Sequence, residues 1–428
     1  MGKIIFSKKN SDLFDFMHFS EWILKVFGLY VFIFIISSCN HSPQITFKHH
    51  IIDSPLTAEV WGTGGFTLAD YDKDGDLDVT IQCRSDSAKV YWYENRGIDN
   101  WIRHFVGIGS EYQLGATAFD VDRDSNVDLV LGHVWFRNSG NLQNEPDVEW
   151  EEHYYNGDML EENHDIVTAD LNLDNIDEII MYNQTSSTLR AYNLTDPFNW
   201  TYADIASDVD ENYVHSGIFP NGVVDLNNDN YPDVIMPIYW YKNPGMTGTS
   251  WEKVAYPYTP IVPNPYGAGM RVWAGEMNDD GLNDFIYADC DVQFSKVYLL
   301  INEGKGESWI KEELPLPKSN VGESGSFHSM QVADFDNDGD LDVFSGEQED
   351  DTKLMKPEGL WERGIIFQNI GTLKKPKFEA IIINEDNPGW HDALIGDVDG
   401  DGDIDIVSKI WKADEIDFHL DYWENKTK

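Results

Sequence analysis

One short acidic loop recurs seven times along this chain, and a sequence repeating on that period buries its hydrophobic faces by stacking one unit against the next. The first copy reads Asp70-Tyr71-Asp72-Lys73-Asp74-Gly75-Asp76-Leu77-Asp78, and the others open at Asp120, Asp170, Asp225, Glu276, Asp334 and Asp397. Successive copies begin 50 to 63 residues apart, the range of one four-stranded propeller blade. The expected fold is all-β, a seven-bladed β-propeller in a single domain over residues 40–428.

Within each copy, side chains bearing oxygen stand at positions 1, 3, 5 and 9, with Gly or Asn usual at position 6. The residues are Asp70, Asp72, Asp74 and Asp78 in the first copy, then Asp120, Asp122, Asp124 and Asp128; Asp170, Asn172, Asp174 and Glu178; Asp225, Asn227, Asp229 and Asp233; Glu276, Asn278, Asp280 and Asp284; Asp334, Asp336, Asp338 and Asp342; and Asp397, Asp399, Asp401 and Asp405. Alternate residues of a tight turn point inward, a small residue relieves the bend, and a hard cation takes only oxygens. The pattern is therefore that of a calcium loop. Up to seven structural calcium ions are expected, with weaker binding where Asn175, Glu178 and Glu276 depart from the pattern.

The chain has 428 residues, a formal net charge of −46 and a pI of about 4.3. That balance argues against nucleic acid as a partner, because a phosphate backbone rewards Lys and Arg. The first 39 residues read as a targeting segment. The apolar run Val26–Ile36 leads into Ile36-Ser37-Ser38-Cys39, which has the form of a bacterial lipobox with Cys39 as the lipidated residue, and Met17 would give a more usual start. A single membrane anchor helix is the competing reading, but the run is short for a span. The expectation is a monomer in the bacterial cell envelope, held to the membrane only through its lipid. Cys83 and Cys290 fall at equivalent places in blades 1 and 5, which are not neighbours, so no disulfide is expected.

Each unit reads as four strands, A to D. Strand A is the short run before the loop, and strand B is the apolar run after it, as in Val234-Ile235-Met236. Strand C carries aromatics and ends at Asn, as in Tyr91-Trp92-Tyr93-Glu94-Asn95 and Tyr239-Trp240-Tyr241-Lys242-Asn243. Strand D opens on an aromatic such as Trp101 or Trp309. Aromatic and β-branched residues at alternating spacing favour half-buried strands. The chain ends after strand C of blade 7, and Ile45–Ile52 near the N-terminus has the strand-D pattern with Phe47 in the aromatic place. That segment is expected to complete blade 7 and shut the ring.

The seven loops and the Trp-Tyr-x-Asn strand ends resemble the VCBS and FG-GAP repeat family of calcium-loop propellers over roughly residues 44–428. For function the resemblance implies only a range, because such propellers serve as adhesion modules, carbohydrate lyases and sugar dehydratases.

Six residues before each first loop acid stands a column reading Gly64, Leu114, His164, Phe219, Met270, His328 and His391. Three histidines thus share one structural position, on the face opposite the acidic loops. Asp165 and Asp392 follow two of them and would orient them, and Arg271 sits one place later in blade 5. Trp61, Tyr213, Trp273 and Trp390 crowd the same rim, with His133 and His215 nearby. Histidine titrates near neutral pH and can pass a proton, so the column reads as an acid–base site. Histidines that satisfy backbone groups along a narrow channel are the alternative, and a three-histidine metal site is a further one.

Two functions compete. The first is a carbon–oxygen lyase or dehydratase acting by β-elimination on acidic oligosaccharides or polysaccharides that contain uronic acid, ulvan among them. There Arg271 would neutralise the carboxylate, one of His164, His328 and His391 would take the proton, and another, or Tyr213, would protonate the departing oxygen. Trp61, Trp273, Trp390 and His215 would hold the sugar. The second is a non-catalytic surface lipoprotein binding glycan or protein, as integrin-like propellers do. The segment Glu347–Arg363 enlarges blade 6 and reads either as a flap over the mouth or as a surface insertion.

Overall fold

The computed structural model describes residues 44–428 apart from 57–61, 85–86, 111, 156–161, 208, 210–213, 247–249, 262–265, 350–354, 412–417 and 428. Cys39 with its lipobox, Trp61 and Tyr213 lie outside the described residues. The described elements are strands throughout, grouped into seven sheets that follow one another in chain order, one for each acidic loop. Blade 1 shows the plan. Strands A (Thr63–Ala69), B (Asp78–Cys83), C (Lys89–Asn95) and D (Trp101–Ile108) pair antiparallel in sequence order, and the acidic loop joins A to B. In blade 7 the order is A (Asp392–Gly396), B (Asp405–Lys409) and C (Leu420–Asn425), with Phe47–Asp53 as the outer strand. That N-terminal strand pairs antiparallel with strand C in the register Phe47↔Asn425.

Blades 4 and 5 depart from the plan. Strand A of blade 4 shrinks to Val223–Val224, and the chain just before it adds Val214–Ser216 and Pro220–Asn221 in parallel along strand A of blade 5 (Ala268–Gly275). Proline has no N–H to give to a ladder. The amide of Val272 instead donates to the Phe219 carbonyl at 2.8 Å. This detour carries His215 and Ser216 to the channel mouth.

Between neighbouring sheets lie apolar layers centred on the strand-C aromatics. Trp92, Trp135, Trp240 and Trp423 are all fully buried. Two polar devices complete the seams. The last loop acid staples its own blade: Asp78 accepts the Tyr71 amide at 3.2 Å on one oxygen and the Asn95 amide at 2.8 Å on the other. Asp128, Asp233, Asp284, Asp342 and Asp405 repeat the arrangement. The Asn that ends strand C then reaches the preceding blade. Its side-chain amide donates to the carbonyl at loop position 2, from Asn138 to Tyr71 at 2.8 Å, from Asn243 to Leu171 at 2.9 Å and from Asn302 to Leu226 at 2.8 Å. Asn95 of blade 1 makes the same bond to Val398 of blade 7 at 2.9 Å. The recurring strand-C Asn is therefore an inter-blade clasp.

Replacing Asn302 by Ala orphans the Leu226 carbonyl and the amides of Gly304 and Gly306 that its oxygen accepts. The expected cost is about 1–3 kcal/mol, read as a lower urea midpoint at unchanged slope. An unchanged midpoint would show that the clasp carries no stability.

Candidate functional site

The acidic loops share one backbone. Position 6 takes positive φ at Gly75, Ser125, Asn175, Asn230, Gly281, Gly339 and Gly402, and so does position 4, at Lys73, Arg123, Leu173, Asn228, Asp279, Asn337 and Gly400. The double reversal turns the odd-numbered side chains toward one point. Candidate ligand oxygens of Asp70, Asp72 and Asp78, of Asp120, Asp122 and Asp128, and of Asp334, Asp336 and Asp342 lie within 4.8 Å of one another. These are potential metal-binding groups, and the donor set fits a hard cation: Oδ1 of Asp70 and of Asp397 is buried without a hydrogen bond. Burial first, with neighbouring carboxylates adding to it, pushes Asp78 and Asp342 up to about 8 and Asp128, Asp233 and Asp284 up to about 7. Such crowding is what a divalent ion relieves. Blade 2 fits less well. Arg137 sits on Asp122 at 2.6 Å and Asp124 at 2.8 Å, so a guanidinium already supplies positive charge there. Glu178 of blade 3 reaches the Leu171 amide at 2.9 Å, so the longer acid keeps that half of the staple.

On the opposite side, one cavity is lined by Gly64, Leu114, His164, Phe219, His328 and His391 of the sequence column. Arg271 takes the blade-5 place, because Met270 turns into the core between blades 4 and 5. Among the described residues the cavity is about 40 Å³, room for one or two waters. Phe66, Ala116, Ile166 and Phe219 also line a wider chamber of about 310 Å³ along the inner strands. The three histidines converge: the His328 and His391 rings stack at 3.8 Å between centroids, and His164 lies 6.1 Å from His328. His215 packs edge-on against His164 at 4.4 Å.

Arg271 ties the cluster together. It is 2% exposed and donates to Asp165 at 3.0 Å, to Asp392 at 3.1 Å and to the His328 carbonyl at 2.7 Å. Blades 3, 5, 6 and 7 thus meet on one guanidinium. Burial pushes the Asp165 carboxyl up, but Arg271 and then His164 outweigh it and hold the acid below the usual carboxylate range. Asp392 is likewise held down against burial, by Lys409 at 2.8 Å, then by His328 and Arg271. His164 Nδ1 donates to Asp165 at 2.9 Å, which fixes its ring. Burial, and next the neighbouring His328, keep His391 well below the usual imidazole range; burial holds His215 down at about 3.

Several expectations need correction. Arg271 lines the cavity but is no free cation for a substrate carboxylate, because each of its nitrogens already has an acceptor within the protein. Asp392 does not orient its neighbour His391; it faces Arg271, Lys409 and His328. Trp390 is 0% exposed and stacks on Trp423 at 4.5 Å in the core between blades 6 and 7. Trp273 packs between blades 5 and 6. Neither tryptophan offers a platform at the mouth. The two ends of the segment Glu347–Arg363 are tied together, since Arg363 forms a buried bidentate pair with Glu347 at 2.6 and 2.7 Å, while residues 350–354 lie outside the described residues. Cys83 and Cys290 are buried and unbridged.

The sequence reading missed three groups at the mouth. Glu349 accepts the Trp411 amide at 2.8 Å and lies 3.6 Å from His391 Nδ1. Asp291 lies 3.6 Å from His328 Nε2, and Lys409 bonds Asp392. A signal for two of them existed. Seven residues after the last loop acid, blades 5 and 6 carry Asp291 and Glu349, where strand B returns to the mouth.

Residues 276–345 match the family model of the FG-GAP-like repeat. A chain of the crystal structure of BBS1N in complex with ARL6DN, soaked with lead, is similar at 9% identity and a TM-score of 0.51, over 89% of this chain and 97% of that one. The V. cholerae biofilm matrix protein Bap1 gives 12% identity and a TM-score of 0.29 over 86% and 70% of the two chains. The NanB sialidase from Streptococcus pneumoniae gives 12% identity and a TM-score of 0.40 over 90% and 70%. The first likeness bears on the fold alone. No curated protein sequence matches the chain. With seven sheets and seven acidic loops the described residues form a seven-bladed β-propeller, and the stretch from the acidic loop of blade 5 to strand B of blade 6 matches the FG-GAP-like repeat.

Proposed function

We propose that this propeller is a lipid-anchored envelope enzyme that acts by β-elimination on acidic oligosaccharides. Its acid–base centre is the channel mouth, and calcium holds its opposite face. The observation that carries the reading is the convergence of His164, His328 and His391, from three blades remote in sequence, on one cavity. Proton-transfer groups gathered on a solvent-reaching cleft are a reason to expect chemistry rather than packing.

In the elimination, a ring nitrogen of His391 takes the proton on the carbon beside the sugar carboxylate. The C–H electron pair forms the new double bond, the C–O bond at the next carbon breaks, and His164, steadied by Asp165, protonates the departing oxygen. Arg271 acts through others, as a positioning residue. A cavity of about 40 Å³ admits a substituent rather than a sugar ring, so the ring sits outside it. The same size, together with the engagement of Arg271 by Asp165, Asp392 and the His328 carbonyl, favours a second reading, a binder that holds glycan on the rim without turning it over.

Incubation with uronate oligosaccharides is expected to produce the ultraviolet absorbance of an unsaturated sugar acid. His164→Ala and His391→Ala should each lower kcat by about 10²–10⁴-fold with the melting temperature retained. Binding without product, unaltered in both variants, would leave the rim-binder reading. Product formation untouched by both substitutions would refute the acid–base centre.

A further inference from the structure

We infer that Cys290, Asp291 and His328 form a metal centre of a different kind from the acidic loops, a site for zinc(II) or a like borderline divalent ion in the wall of the channel mouth. The thiol sulfur, a carboxylate oxygen and an imidazole nitrogen lie within 4.8 Å of one another, and all three residues are buried. Such a mixed set suits zinc and is foreign to calcium, which takes only oxygens.

The spacing carries the inference. His328 Nε2 lies 3.6 Å from Asp291 Oδ1, and His215 Nε2 lies 3.5 Å from Asp291 Oδ2. Both separations exceed a hydrogen bond, which would close to about 2.7–3.2 Å. Each, with its own carboxylate oxygen as the ligand atom, matches the edge of a tetrahedron of nitrogen and oxygen ligands about 2.0–2.2 Å from a central ion, which is about 3.3–3.6 Å. Asp291 Oδ2 is buried with no hydrogen bond at all, in a residue only 5% exposed. A carboxylate oxygen so placed needs a cation or a donor.

The surroundings agree. His328 Nδ1 lies 2.8 Å from the His391 carbonyl, which can only accept, while the nearby Arg271 nitrogen has Asp392 to donate to at 3.1 Å. Nδ1 therefore carries the proton, and Nε2 is left bare toward Asp291. Ligating histidines characteristically give their other N–H to a carbonyl or carboxylate in this way. The Cys290 sulfur has the Ser216 hydroxyl at 3.3 Å, and the Asp291 amide donates to Ser326 at 2.7 Å. His215 is placed to be the fourth ligand, which makes the parallel detour before blade 4 part of the centre. On binding, the thiol proton leaves to solvent. The ion would enter past His328, which lines the cavity. The site shares His328 with the proposed acid–base centre, but the metal readouts do not depend on turnover.

The test uses the full chain with calcium saturating, so that the acidic loops are filled, and cobalt(II) as the spectroscopic probe. The expected result is about one cobalt per chain with a thiolate-to-metal absorption band in the near ultraviolet, displaced by zinc. Cys290→Ser should abolish the band and weaken cobalt binding by at least about 10-fold, while Cys83→Ser, at the other buried thiol, leaves both intact. Should the Cys290 variant not fold, the wild type alone decides: about one equivalent of zinc added over calcium should raise its melting temperature. Absence of the band from the wild type, its persistence in Cys290→Ser, or a melt unmoved by zinc would each overturn the site.

Discussion

Arg271→Met should destabilise the propeller by about 3–5 kcal/mol, a large share of the stability of an ordinary domain. The guanidinium is 2% exposed and faces Asp165 and Asp392, so its loss leaves the buried Asp165 carboxylate without its cation and Asp392 with Lys409 alone. Removing the acids as well, in Arg271→Met with Asp165→Asn and Asp392→Asn, should recover much of the loss, because replacing a whole buried ionic group is far cheaper than breaking it. The sign with pH follows. Asp165 and Asp392 are held below their ordinary range, so their contribution is full above the unfolded carboxylate pKa near 4 and fades as pH falls through the folded values. The deficit of Arg271→Met should therefore be largest near neutral pH and shrink on acidification. Urea unfolding at about pH 7.5 and at about pH 3, below the unfolded carboxylate pKa, reads this out. A deficit under about 1 kcal/mol at the higher pH would show that the guanidinium is not the keystone of the mouth.

Chelating calcium is expected to be more damaging still. Each filled loop stabilises the folded chain by about 2.7 kcal/mol at a hundredfold excess of ion over Kd, and a few such loops reach the stability of a whole domain. Without the ion the last loop acids stay crowded, with Asp78 and Asp342 raised to about 8 by burial and then, against amide bonds that lower them, by nearby acids. Their folded pKa then exceeds the unfolded value near 4, so the folded chelated chain binds more protons than the unfolded one. Its stability should fall as pH rises from about 4 to 8 and return on acidification. With calcium the order reverses, since protons now compete with the ion. Melts with and without a chelator at both ends of that range check the claim, and a melt indifferent to chelator at pH near 8 would remove the ion from the account.

What could be read from the sequence was whatever repeats. The loop oxygens, the strand-C aromatics and the Asn after them recur on one period, so the blades, their order and the histidine column were visible before any coordinates. Identity without period misled. Trp390 and Trp273 are aromatic and near the rim in number, but the packing of a neighbouring blade decides which side of a strand is buried, and both face cores. Arg271 looked like a substrate cation because its charge is visible in sequence while its acceptors on blades 3, 6 and 7 are not. Asp291 and Glu349 were missed because the column was counted backward from the first loop acid, whereas these stand forward of the last. The positive φ at position 4 left no mark, since Lys73, Arg123 and Leu173 are ordinary residues adopting it.

The Asn clasp binds strand C of one blade to the acidic turn of the blade before it, and on blade 1 it reaches back to blade 7. An ion that leaves one turn therefore slackens two sheets, and the second of these holds its own ion less firmly. Calcium uptake should accordingly be steep, with the blades loading in concert rather than as independent buffers. A scaffold wired like this would respond to the calcium around it as a threshold, assembled on one side and proteolysed on the other.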